Sequence, residues 1–134
     1  MVRFGASVAA MVTDDGSRAE VLDAVMASPR AADDVAGALA AIDATFGNDT
    51  YETQATGMTL ASPRAAAELK VIGTAISSLL SSDDQRFDLL NASLHSATSA
   101  ADIRAGFRAI DSTFGNDSAE LRAAIDWLAA TPAS

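Results

Sequence analysis

The stretch AIDATFGND, residues 41–49, returns as AIDSTFGND at residues 109–117 with one change, Ala44 against Ser112. Sliding the chain on itself by that offset of 68 gives 13 identities over the 31 positions from Glu20 to Thr50, the mark of an internal duplication. A second pair, ASPRAA at 27–32 and again at 61–66, lies 34 apart, half the first offset. The underlying period is therefore 34.

Three series of residues keep that period: Asp15, Asp49, Asp83 and Asp117; Val8, Ile42, Ile76 and Ile110; and Val12, Phe46, Leu80 and Phe114. Val35, Leu69 and Ile103 stand seven before the second series, and the third stands four after it. Apolar residues spaced by four and seven share one face of a helix. Hydrophobic residues make up 49% of the chain but aromatics only 5%, a composition of alanine-rich helices and not of strands. The expected fold is all-α, with about four tandem helical hairpins of period 34, either a helical-repeat array or a compact bundle of two halves. At 134 residues the chain fits one domain, 1–134, with approximate halves 1–66 and 67–134.

The spacing also predicts helix boundaries. The longer helix of each hairpin starts at Pro29 or Pro63 with Ser28 or Ser62 as cap, or at Ser99 with Asp102 three residues on. It buries Val35, Leu39, Ile42 and Phe46 in one copy and Ile103, Phe107, Ile110 and Phe114 in another. Gly47 and Gly115 then stop it in a left-handed conformation. Asp49 with Glu52, and Asp117 with Glu120, have the spacing of a capping box for the next helix, a role that Thr50 or Ser118 can also take. Leu89, Leu90 and Leu94, and later Leu121, Ala124, Ile125 and Leu128, form the apolar stripes of the second helices; Trp127 lies off its stripe and reads as a packing residue. In period and hairpin organisation alone the chain resembles tetratricopeptide and HEAT-type arrays. The tryptophan, leucine-glycine and tyrosine pattern of the former is missing, so neither family is assigned.

Composition removes several functions. There is no cysteine, hence no disulfide framework, thiolate nucleophile or zinc-thiolate site, which fits a cytoplasmic protein. A net charge of −9, from 18 acidic and 9 basic residues, repels nucleic acid and anionic lipid. Arg104, Arg108 and Arg122 read as dispersed charges on solvated helix faces. No apolar run reaches the roughly 18 residues needed to span a bilayer. The opening MVRFGASVAAMV, residues 1–12, has some character of a signal segment, but the repeat gives it a place in the fold. His95, the single histidine, reads as a surface or capping residue. With no Gly-x-Ser-x-Gly elbow and no glycine-rich phosphate loop, neither catalysis nor a cofactor is expected.

Asp43 and Asp111 are the exception to a purely structural reading. Each falls in the last turn of its helix, where the dipole disfavours an acid. Ala9 and Ser77 hold the equivalent positions of the other copies, so the fold does not demand one. Asp43 with Asp49, and Asp111 with Asp117, are candidate ligands for a hard cation such as Ca²⁺, helped by Thr45, Asn48, Thr113 and Asn116. The spacing is not an EF-hand, because Asn48 and Gln54 stand where glycine and glutamate are required. The alternative is a hydrogen bond to the nearby turn or a pair with an arginine. The leading expectation is a non-enzymatic repeat module whose acidic surface takes a protein or peptide partner of basic character, or a second copy of itself. A cation-binding protein using the paired DxTFGND turns is the second reading, and a small-molecule site between helices the third.

Overall fold

The computed structural model describes residues 8–130. Residues 8–11 are helical, and seven helices follow: α1 (Asp15–Ala27), α2 (Ala32–Thr45), α3 (Asp49–Leu60), α4 (Ala66–Leu79), α5 (Asp83–His95), α6 (Ala100–Thr113) and α7 (Asp117–Ala130). Successive starts at 15, 49, 83 and 117, and at 32, 66 and 100, reproduce the period of 34 read from the sequence. The described residues are all helix, turn and loop.

Packing runs between sequence neighbours. Helices α2, α4 and α6 lie side by side in one layer, α1, α3, α5 and α7 in the other, and α2–α3, α4–α5 and α6–α7 are the hairpins that join them. Each hairpin buries its apolar faces against the next, the arrangement of an open repeat array. A closed bundle would instead lay the last hairpin on the first; among the described residues α6 and α7 have no principal contact with α1.

The apolar series explain how each first-layer helix ends. Phe46, Leu80 and Phe114 leave the helix in extended conformation, yet their N–H groups still donate to Ile42, Ile76 and Ile110 one turn back, at 3.1, 2.9 and 3.0 Å. Val12 donates to Val8 in the same way at 2.9 Å. Two of the series are thus the donors and acceptors of one repeated hydrogen bond. The predicted glycine stop is corrected here: among the described residues no glycine has positive φ, and the stop is an extended apolar residue whose side chain turns into the core. Val12, Phe46 and Leu80 are buried.

Two more boundaries shift. α2 and α4 begin at Ala32 and Ala66, three residues after the prolines, with Ala31 and Ala65 at the cap position. Ser28 and Ser62 instead accept the N–H of Arg30 and Arg64, both at 3.2 Å, and hold the Ser-Pro-Arg segment as a turn. The reason is the arginine. Arg64 donates to the carbonyls of Ser93, Ser96 and Thr98 at 3.1, 2.7 and 2.8 Å, covering the C-terminal end of α5 in the next hairpin. Arg30 reaches Ser62 and Thr59 at the end of α3 in the same manner and ion-pairs with Asp34. A helix starting at the proline would carry the guanidinium away from both. Ser99, by contrast, caps α6 as predicted, accepting the N–H of Asp102 at 3.2 Å.

Most of the predicted core is buried: Val35, Leu39, Ile42, Ile103, Phe107, Leu89, Leu90, Leu94, Ala124 and Leu128. Phe114 departs from that expectation at 40% exposure, against 4% for Phe46 at the same repeat position, because among the described residues no hairpin stacks on that side of α6–α7. Trp127 packs as expected, edge-on to Phe107 at 6.2 Å between ring centroids and over Gly106, where any Cβ would overlap the indole. The question of a signal segment in residues 1–12 falls largely outside the described residues. Among those described, no helix is long and apolar enough to cross a membrane.

Candidate interaction surface

The first-layer helices approach closely where the sequence supplies small residues. A Cβ on Gly37 would come within 2.9 Å of Ala66 Cβ, and one on Gly73 would overlap Thr45 Oγ1, so glycine sets the separation of α2 and α4 at both ends. The outer surface of this layer is a trough with few side chains to fill it. Between α2 and α4 lies a groove of about 580 Å³ whose floor and walls include Gly37, Ala40, Ala44 and Ala67. A second groove of about 330 Å³ between α4 and α6 is lined by Val71, Leu79, Phe107 and Arg108, among others. Lys70, Thr74 and Ser78 of α4 belong to both and form the ridge between them.

Charge is unevenly spread over the molecule. Arg18, Arg30, Arg64 and Arg86 are spent on backbone carbonyls inside the array. Lys70, Arg104 and Arg108 are exposed, ion-pair with no acid among the described residues, and line the α4–α6 groove together with Asp111. The sequence reading of Arg104 and Arg108 as dispersed charges missed this grouping. A signal was present: Lys70 and Arg104 stand 34 apart and so share one repeat position.

The aspartate turns take a different role from the one expected of a cap. Asn48 and Asn116, not Asp49 and Asp117, are the N-caps of α3 and α7, accepting the N–H of Thr50 and Ser118 at 2.9 Å each. Asp49 Oδ2 instead accepts the N–H and hydroxyl of Thr13, in the turn of the preceding hairpin, at 2.9 and 2.7 Å. Asp117 does the same with Ser81, and Asp83 accepts the N–H of Gly47 at 3.2 Å. The hydroxyls of Thr13 and Ser81 are the main cause holding the Asp49 and Asp117 carboxyls below the usual carboxylate range. The 34-residue aspartate series is therefore a ladder between hairpins.

Glu52 and Glu120 do not close a capping box; both are buried, and Oε2 of each has no hydrogen-bond partner. They occupy the repeat position of Arg18 and Arg86, so the four copies read Arg, Glu, Arg, Glu. Burial first, then the charges of Asp43, Asp49 and Asp83, push Glu52 up to about 8. Burial, a hydrogen bond with Asp111 and the charges of Asp111 and Asp117 push Glu120 up to about 6. Asp43 and Asp111 are themselves exposed, each facing the buried glutamate of its own hairpin. Among the described residues no group of three or more histidine, cysteine, aspartate or glutamate side chains is arranged to hold a metal ion. His95 lies exposed in the last turn of α5, its Nδ1 2.8 Å from the Asn91 carbonyl.

Compared with protein-family models, curated proteins and solved structures, the chain gives no match.

Proposed function

We propose that the chain is a protein-interaction module that holds a partner segment in the trough over α2, α4 and α6. The observation that carries this reading is the pair of grooves flanking α4, which share Lys70, Thr74 and Ser78 on the ridge between them. Small side chains leave room for a helix or an extended strand, and repeat arrays use their long faces in this way. The acidity of the whole chain suggested a basic partner, but the groove lining argues for the opposite sign. Lys70, Arg104 and Arg108 favour a segment that brings carboxylates alongside apolar side chains.

The test is an array of short labelled peptides spanning acidic, neutral and basic sequences, probed with the unmodified chain and with Lys70→Glu/Arg104→Glu/Arg108→Glu. All three positions are exposed, and circular dichroism checks that the variant folds. Retention of acidic, apolar-bearing peptides that the variant loses supports the reading. Absence of retention, or retention indifferent to the charge reversal, overturns it.

The cation reading of Asp43, Asp49, Asp111 and Asp117 has less behind it, since Oδ2 of Asp49 and of Asp117 is committed to the preceding turn. It also requires ligands beyond the two carboxylates of each turn.

A further inference from the structure

The ends of the array carry matching halves of a contact that the chain already makes inside itself. Where α2–α3 meets α4–α5, the Gly47 N–H donates to Asp83 Oδ2 at 3.2 Å, and Arg86 Nη1 donates to the Thr45 carbonyl at 3.3 Å. Phe46 is covered there. The 68-residue duplication repeats every one of these residues on the first or the last described hairpin. Gly115, Thr113 and Phe114 stand 68 after Gly47, Thr45 and Phe46, while Asp15 and Arg18 stand 68 before Asp83 and Arg86.

The first described hairpin is also built in the geometry of the internal contact. Arg86 Nε and Nη2 hold the Leu80 and Ser77 carbonyls at 2.8 and 3.1 Å; Arg18 holds those of Val12 and Ala9 at the same two distances. Asp83 pairs with Arg86 at 3.8 Å and Asp15 with Arg18 at 3.5 Å. Only the covering surface differs: the Asp15 side chain is 99% exposed against 24% for Asp83. At the opposite end, Phe114 is exposed where Phe46 is buried. The sequence keeps the register one step further, since Gly5 stands 68 before Gly73, the glycine that admits Thr45.

We propose that hairpin α6–α7 of one chain stacks on the N-terminal hairpin of a second copy in the register of the internal contact, with Gly115 donating to Asp15, Arg18 donating to the Thr113 carbonyl and Phe114 covered. The two surfaces are different patches of the same chain, so the contact is heterologous. Such contacts extend head to tail into open filaments, or close as a ring if the rotation permits. This inference concerns the ends and is independent of the groove reading, because occupancy of the trough leaves Asp15 and Phe114 free.

The experiment is sedimentation velocity with light scattering from micromolar to millimolar chain, on the unmodified protein, Asp15→Lys and Phe114→Glu. Both altered side chains are exposed, and circular dichroism checks each variant's fold. The unmodified chain is expected to grow progressively in mass beyond two copies, while each variant alone stays at 13.7 kDa. Mixing the variants is the decisive arm, since one retains an intact tail and the other an intact head. An equimolar mixture is expected to give a one-to-one dimer and nothing larger. An unmodified chain that stays monomeric at millimolar concentration overturns the proposal, as does a variant that still dimerises alone, which would indicate a symmetric interface.

Discussion

Asp49 accepts both the N–H and the hydroxyl of Thr13, from the turn of the hairpin before its own. Asp117 repeats the contact with Ser81, whereas the Asp15 side chain, at the same repeat position, is 99% exposed. One residue type at one position thus separates the value of the ladder from the value of an acid at a helix start. Asp49→Ala or Asp117→Ala is expected to destabilise, since each removes the acceptor of two charge-assisted hydrogen bonds to the preceding hairpin. Asp15→Ala in dilute solution is expected to cost less than about 0.5 kcal/mol. Urea unfolding of the three variants at neutral pH checks the ordering, and equal losses at all three positions would assign the effect to the helix dipole alone.

Arg64 is buried and satisfies the carbonyl of Ser93 in the last turn of α5 and those of Ser96 and Thr98 just beyond it. Arg64→Met is expected to destabilise by about 2–4 kcal/mol, because it leaves those acceptors unpaired in the interior. Arg64→Lys should recover only part of this, since one ammonium cannot hold the carbonyls and Glu68 together as Nη2 and Nη1 of the planar fork do. Thermal unfolding of both variants measures the difference; a lysine variant as stable as the parent would show that charge and not geometry matters there.

How much of this was legible in the sequence follows from what repeats and what does not. The period, the helix starts near 15, 49, 83 and 117, and the buried faces could be read because every copy restates them. The ends of helices were misread because local rules compete. Glycine after phenylalanine is a common left-handed stop, but Phe46 ends the helix itself by turning extended and burying its ring. Ser-Pro is a common start, but Arg30 and Arg64 have carbonyl partners in the next hairpin that hold the segment out of the helix. Those partners lie about 30 residues away, beyond any local pattern. The cationic groove was hidden for another reason: Lys70 and Arg104 share a register and Arg108 stands one turn after Arg104, but only the packing of α4 against α6 brings Lys70 to the other two.

Two glycines of the array should respond to alanine with opposite signs. Gly73 faces Thr45 Oγ1 across the α2–α4 contact, and a methyl group there must push the helices apart. Overpacking of this kind costs typically about 1–3 kcal/mol. Gly57 lies within α3, and a Cβ added to it meets nothing within 4 Å. Gly57→Ala is therefore expected to stabilise by about 0.5–1 kcal/mol, the helix-propensity difference. Denaturant midpoints of the two variants test the assignment; a stabilising Gly73→Ala would mean that the α2–α4 separation is not set by that glycine.

The buried Glu52 gives the protein an unusual pH dependence. In the unfolded chain its carboxyl titrates near 4.5, but in the fold only near 8, with burial as the first cause and the charges of Asp43, Asp49 and Asp83 behind it. Below about pH 4.5 the group is protonated in both states and has no effect on the balance. As pH rises from there to about 8, the unfolded chain gives up its proton while the fold retains it, so folding stability falls; above about 8 the loss levels off. Glu120 adds a weaker loss between about 4.5 and 6. The carboxyls of Asp34, Asp49, Asp84 and Asp117 act in the opposite sense, and their support is lost only as pH falls below their ordinary value of 3.8. Stability is therefore expected to be greatest near pH 5 and lower at pH 8.5. One pKa unit corresponds to about 1.4 kcal/mol, so the Glu52 contribution is on the order of a few kcal/mol. Glu52→Gln keeps the shape of the side chain and removes the proton, and is expected to raise Tm at pH 8.5 while leaving it nearly unchanged at pH 4.5. Glu20→Gln, at an exposed position, changes the net charge equally and isolates any general relief of charge repulsion. Equal gains from the two variants, or a Tm that rises from pH 5 to pH 8.5 in the unmodified chain, would remove Glu52 as the cause.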